Sequence, residues 1–289
     1  MTAWFRQAVF VPPPACVVAD ELGYFARAGL EVETVLIDSS TDQRDRLLTG
    51  DVDAAVTAID NLIVWNSGGA DLRVVAQIES TTPLRLVAQA SVRRLEDLRG
   101  ATLGVDAPDN GFAVVLRHLL GHHGLPPGAY EFEPVGGVRE RFEALRSGSI
   151  DAAWLGPPLD ELAQQEGLVS LLAVEDEVPD FPGQGVVAGP ATRQAGRGKL
   201  SLYLAALEAA RDWLHATPDD EIQDVLTRGG YGPASARAAL RTRPVSLAPA
   251  RAGLECILTM RDKLGMMPGQ VPGADDLYDG CPLGLELRS

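Results

Sequence analysis

Short apolar runs of strand length alternate along this chain with stretches of helical spacing, and glycine or proline stands at many of the changes. Residues 4–11 form a β-rich run that stops at Pro12-Pro13-Pro14, and the spacing predicts a helix over 15–28. Ala28-Gly29-Leu30 leads from that helix into an extended run at 32–37. Ser40-Thr41-Asp42-Gln43 has the Ser-x-x-Gln form of a capping box and opens a helix that ends at Gly50. Asp60 or Asn61 is placed to cap a short helix over 62–66, and 72–78 reads as another strand.

The pattern then starts again. Leu47-Leu48-Thr49-Gly50-Asp51-Val52-Asp53-Ala54-Ala55-Val56 returns as Leu145-Arg146-Ser147-Gly148-Ser149-Ile150-Asp151-Ala152-Ala153-Trp154, with Asp53 and Asp151 98 positions apart. In both copies an amphipathic stretch ends at a glycine suited to the left-handed conformation that closes a helix, and a short apolar strand follows. The flanks repeat as well, because His123-Gly124-Leu125 and an extended run at 130–135 precede the second copy. Two related lobes follow, each reading strand, helix, strand, helix, strand.

Residues 83–90 are extended and lead through a short helix into the second lobe's first strand, ending at Val105. The loop Asp106-Ala107-Pro108-Asp109-Asn110-Gly111 matches the triple-proline loop, and Asp109 or Asn110 caps a helix over 112–122. Pro157-Pro158 opens a helix reaching 166. A second extended segment, 183–188, is expected to run back beside 84–88, making a hinge of two antiparallel crossings. The helical stretches 200–215, 219–228, 234–240 and 252–264 pack around the first lobe, and 268–284 is laid over it as a tail. The expected division is 1–88 with 187–289 as one lobe and 89–186 as the other.

Length supports this reading, since 289 residues exceed one ordinary core and suit two. The net charge of −15 repels nucleic acid and anionic lipid, so neither is an expected partner. No apolar run approaches the roughly 20 residues that a membrane span needs. As written, the N-terminus has no export signal and points to the cytoplasm, with a periplasmic or extracellular place if a leader was removed. Cys16, Cys256 and Cys281 lack metal or disulfide spacing, so no metal site and no cofactor is expected. The four histidines fall on helices away from the candidate loops.

In an open α/β sheet, ligands sit beyond the carboxyl ends of strands, which here carry polar and flexible loops. The candidate ligand-binding residues are Pro13, Pro14, Ala15, Ser40, Thr41, Thr57, Asp60 and Asn61 in the first lobe. In the second they are Asp109, Asn110, Gly111, Gly137, Trp154 and Gly156. Each has a plainer alternative. Asp60, Asn61, Asp109 and Asn110 can hydrogen-bond a ligand or simply cap helices, and Trp154 can stack on a ligand ring or pack in the core. Asp53 and Asp151 read as structural despite their repetition. Cys16, at a helix start, is either a small buried filler or a thiol activated by the helix dipole.

The segments ELGYFARAGLEV from Glu21, GDVDAAV from Gly50, LEDLRGATLGV from Leu95, SGSIDAAWLGPP from Ser147 and ALEAARDWLHATPDDEI from Ala206 occur in order. This ordered set resembles the type II periplasmic solute-binding proteins, nearest to the alkanesulfonate-binding, nitrate-binding and thiamine-pyrimidine-synthase-like group. The resemblance implies a two-lobed α/β fold with a two-strand hinge and an interlobe cleft. It implies binding of a small organic, anionic or aromatic ligand, with an ABC transporter permease as a further partner. The alternative it carries is a cytoplasmic enzyme of the lyase, decarboxylase, hydrolase or desulfinase type reusing that cleft, for which Cys16 is the candidate catalytic residue.

Overall fold

The computed structural model describes residues 2–195, 198–269, 272–282 and 284–288. Met1 and Ser289, the outer bounds expected for the first lobe, lie outside the described residues. The strands are β1 (Ala3–Val9), β2 (Leu30–Leu36), β3 (Ala54–Ala58), β4 (Arg73–Gln77), β5 (Arg85–Ala88), β6 (Thr102–Val105), β7 (Glu131–Pro134), β8 (Ala152–Leu155), β9 (Val169–Ala173) and β10 (Gln184–Ala188). They form two five-stranded sheets, ordered β2-β1-β3-β10-β4 and β7-β6-β8-β5-β9. The protein is α/β and two-lobed, with one sheet in each lobe.

The two sheets share one plan. Each has three parallel strands, a fourth running antiparallel to the third, and an edge strand beside the fourth. The repeated sequence supplies the central strands, β3 and β8. Its aspartates do the same work in both: the Arg6 amide donates to Asp53 at 2.9 Å, and the Thr102 amide donates to Asp151 at 2.8 Å. Each carboxylate thereby prolongs a parallel ladder by one hydrogen bond, and Lys199 pairs with Asp53 besides. The glycines that close the preceding helices, Gly50 and Gly148, have φ of +77° and +71°, as the sequence requires.

Three local expectations change. The stretch 15–28 is two helices, Pro14–Glu21 and Tyr24–Arg27, because Gly23 takes a φ of +69° between them. Ser39 rather than Ser40 caps the helix Ser40–Thr49, its hydroxyl accepting from the Asp42 amide. Gln43 does not complete a capping box. It is buried and donates to the carbonyls of Ala8 and Val56 at 2.9 and 2.8 Å.

The crossings also differ from the expected pairing of 183–188 with 84–88. β5 pairs with β8 and β9, while β10 pairs with β3 and β4, so each strand has both edges satisfied inside a sheet. Residues 85–88 thus join the second sheet and 184–188 the first, and the chain crosses through 78–84 and 174–183. The two crossings touch where the Thr82 hydroxyl donates to the Pro182 carbonyl at 3.1 Å. They approach so closely that a Cβ on Gly183 would stand 2.3 Å from the Glu79 carbonyl oxygen.

The C-terminal segment meets both lobes. Tyr278 forms a bridge to Val74 in the first sheet, and Asp279 takes an ion pair from Arg193. The helix Arg251–Lys263 packs against the second-lobe helix Gly111–His122. Arg261 on that helix donates to the Asp60 carboxylate and, at 2.8 Å, to the Asp109 carbonyl. Among the described residues, no helix is long and apolar enough to cross a membrane.

Candidate functional site

A cavity of about 580 Å³ lies between the lobes, a volume suited to a small organic molecule. The loop after β1 brings Phe10, Pro13 and Pro14 to it, and the end of β3 brings Thr57. The second lobe contributes Asn110, Gly137 and Gly156 from loops beyond the carboxyl ends of β6, β7 and β8. Ser40 and Asn61 also line it, each already engaged. The Ser40 hydroxyl donates across the lobes to Asp106 at 2.7 Å, and Asn61 donates to Thr57 while accepting from the Gly111 amide. Asn110 caps its helix by accepting from the Ala113 amide at 2.9 Å.

The other expected residues stand away from the cavity lining. Ala15 is core, and Thr41 is exposed on its helix. Asp60 is 1% exposed and committed to Arg261; burial pushes its carboxyl up, against the pull of that guanidinium. Asp109 offers its carbonyl to Arg261, and Gly111 faces Asp60 so closely that a Cβ would meet it at 2.8 Å. Trp154 is 2% exposed, and its indole N–H donates to the Phe112 carbonyl at 3.0 Å. It lies in a strand enclosed within the second sheet, where every position is buried, so the packing alternative accounts for it.

Cys16 belongs to the core behind the cavity. Its sulfur lies 3.5 Å from the Gln7 side-chain oxygen and 3.8 Å from the Tyr203 hydroxyl. Burial pushes the thiol up to about 12, with the negative field of Glu79 adding to it. A thiol held there stays protonated at neutral pH and is a poor nucleophile. In native protein at neutral pH, Cys16 is therefore expected to resist iodoacetamide while exposed Cys281 reacts, as mass spectrometry of the labelled peptides can read. Rapid labelling of Cys16 without unfolding would contradict this.

Among the residues that line the cavity, sequence reasoning missed Arg141. The helix Val138–Ser147 presents it to the cavity from the first turn. Only 4% exposed, it donates to the Trp154 carbonyl at 3.2 Å and the Gly136 carbonyl at 3.0 Å. Among the described residues no carboxylate pairs with it. Burial lowers its pKa to about 10, opposed by the fields of Asp106 and Glu140, so it stays charged at neutral pH.

The repeat shows what is unusual about that charge. At an offset of 98, Gln43 falls on Arg141, Val56 on Trp154 and Ser39 on Gly137. Both Gln43 and Arg141 hydrogen-bond the carbonyl of the third residue of a central strand. The first lobe does this with a neutral amide and caps its helix with a serine. The second lobe uses a guanidinium and has Gly137 at the cap, where no side chain accepts a capping hydrogen bond, with the Glu140 carboxylate standing in the same first turn. Uncapped N–H groups, the helix dipole and a buried cation converge there, the chemistry that receives an anion. Arg139, exposed two residues earlier on the same helix, adds positive charge at the rim.

Glu79 is the other buried ionisable group on the wall, and it comes from the first crossing. Tyr231, Ser235 and Thr242 reach the wall from the C-terminal helical region. Among the described residues, no group of three or more histidines, cysteines and acids is arranged to hold a metal ion.

A family model described as NMT1/THI5 like matches residues 15–221. No curated protein matches the chain. Among solved structures, the ligand-binding component of an ABC-type import system from Staphylococcus aureus, with zinc bound, is 16% identical with a TM-score of 0.83, covering 100% of both chains. The alkanesulfonate-binding protein SsuA from Xanthomonas axonopodis pv. citri, bound to MOPS, is 17% identical with a TM-score of 0.80, covering 96% of this chain and 98% of its own. The desulfurization enzyme DSZB is 15% identical with a TM-score of 0.71, covering 98% of each. These likenesses establish the fold.

Proposed function

Because this chain belongs to the NMT1/THI5-like family, we propose that it binds a small organic anion between its lobes, as the solute-binding component of an ABC-type importer. The observation that carries the reading is Arg141. A neutral glutamine does its structural work in the first lobe, yet the second lobe keeps a buried guanidinium there that forms no ion pair among the described residues, although the fields of Asp106 and Glu140 reach it. Desolvating a charge is costly, and a ligand anion returns what burial removes. The proposed contacts are the Arg141 guanidinium, the first-turn amides after Gly137, and side chains of Ser40, Thr57, Asn61 and Asn110 at the cavity wall.

Binding is favoured over catalysis by the position of Cys16, whose protonated thiol lies behind the cavity wall rather than in it. In an importer the partner of such a protein is a permease, and its place of work is outside the cytoplasmic membrane. The test is thermal unfolding with organic sulfonates, carboxylates and phosphonates beside their neutral amides or esters. An anion present at 100 times its Kd should stabilise the fold by about 2.7 kcal/mol, a rise of several degrees in Tm. Neutral counterparts should leave Tm unchanged, and equal shifts from both would defeat the reading.

A further inference from the structure

Glu79 is a buried carboxyl group with no cationic partner among the described residues. It is 9% exposed and lines the same cavity as Arg141. One of its oxygens accepts from the Gln184 amide at 3.0 Å, and among the described residues no lysine, arginine or histidine pairs with it. Burial pushes its carboxyl up, and only the Gln184 side chain and backbone pull the other way. The titratable groups whose fields are felt with it are the Tyr231 phenol and the Cys16 thiol, neither of them a cation.

The hinge does not need this charge. Backbone groups hold the crossing, since the amides of Ile78 and Glu79 donate to the Gln184 carbonyl at 2.9 and 3.3 Å, and the Gln77 side-chain amide donates to the Glu79 carbonyl at 2.8 Å. A glutamine at position 79 could accept from Gln184 equally well without the cost of a desolvated charge. The cavity thus holds a buried guanidinium and a buried carboxyl group on different segments, Arg141 in the second lobe and Glu79 on the crossing. Phe10, Leu84, Phe112, Phe142 and Pro157 make much of the remaining wall.

We propose that the cleft takes an amphoteric molecule, its anionic group on Arg141, its apolar body against the phenylalanines, and a protonated nitrogen on Glu79. This rests on the anion reading and narrows it to one ligand class. Such a ligand touches the second lobe and the crossing at once, so its binding bears directly on the hinge.

Calorimetry with matched probes tests it. The probes are para-methylbenzenesulfonate and propanesulfonate, each beside its terminal amine derivative and the N-acetyl form of that amine. The amines are expected to bind at least about tenfold tighter than the parent anions, and acetylation should remove the gain. Glu79→Gln should bring amine and parent level by removing the gain that the amine confers. If the parents bind but the amines gain nothing, or the gain survives acetylation or Glu79→Gln, the amphoteric assignment falls and the anion reading stands. If no probe binds, the anion reading fails and takes the assignment with it. The wild-type comparison of amine, acetylated and parent probes decides the matter even where the variant does not fold.

Discussion

Arg141→Gln is expected to leave a folded protein that has lost most of its affinity for organic anions. The substitution installs in the second lobe the residue that Gln43 already provides in the first. A glutamine there can donate to the Trp154 carbonyl as Gln43 donates to that of Val56, so the strand end keeps its partner. What disappears is the charge. Removing one member of a buried, hydrogen-bonded charge pair costs about 2–5 kcal/mol in binding, a loss of roughly 30-fold to several-thousand-fold in Kd. Tm without ligand should hold or rise, because a desolvated guanidinium is replaced by a neutral amide. Calorimetry against the tightest anion found, with unfolding scans beside it, gives both numbers. Unchanged affinity would remove Arg141 from the site.

Arg141 was hidden in the sequence for a physical reason. Val138-Arg139-Glu140-Arg141 reads as the solvated start of a charged amphipathic helix, and nothing local says which arginine turns inward. The signal that does is long-range: laying the two copies on each other puts Arg141 over Gln43 and Gly137 over Ser39. Glu79 is harder still, since an acid after a strand is ordinarily exposed, and its burial depends on how closely the Gly183 crossing packs. Tyr231, Ser235 and Thr242 arrive at the cavity through tertiary packing of C-terminal helices. No sequence spacing announces that.

Local features were legible. The helix-ending glycines, the Asp-Ala-Ala strands and the loops beyond β1, β6, β7 and β8 were all readable, because each depends on backbone conformation and burial over a few residues. β9 was not foreseen, for its residues 169–172 are only partly buried at a sheet edge and show no alternation. Ser39 was overlooked as a cap because two serines stand together and the Ser-x-x-Gln pattern favoured the second. Trp154 and Asp60 illustrate a further limit. Their chemistry suits a ligand, but an enclosed strand claims one and the distant Arg261 claims the other.

Arg261→Met should be among the most destabilising single changes in the protein. Arg261 and Asp60 are each 1% exposed and meet in a two-pronged ion pair, with guanidinium nitrogens donating to both carboxylate oxygens. Taking away one partner of a buried pair leaves the other charged and desolvated, at a cost of about 3–5 kcal/mol. Part of that loss should return on acidification. With the guanidinium gone, only burial acts strongly on the Asp60 carboxyl, so its folded pKa rises further above the unfolded value. A raised carboxyl favours the folded state at low pH and penalises it as pH climbs, so the variant's deficit should shrink as pH falls towards 5. Asp60→Leu combined with Arg261→Met should recover most of the stability, because two buried charges vanish together. Denaturant titrations of the three proteins at two pH values read all of this. A single variant with the wild-type midpoint would show that the pair does not hold the C-terminal helix to the lobes. The structure gives the loss a second consequence, since Arg261 also donates to the Asp109 carbonyl beside the helix whose Asn110 cap lines the cleft. Asp60 thus serves the site indirectly, by fixing the arginine that ties the first lobe to the second.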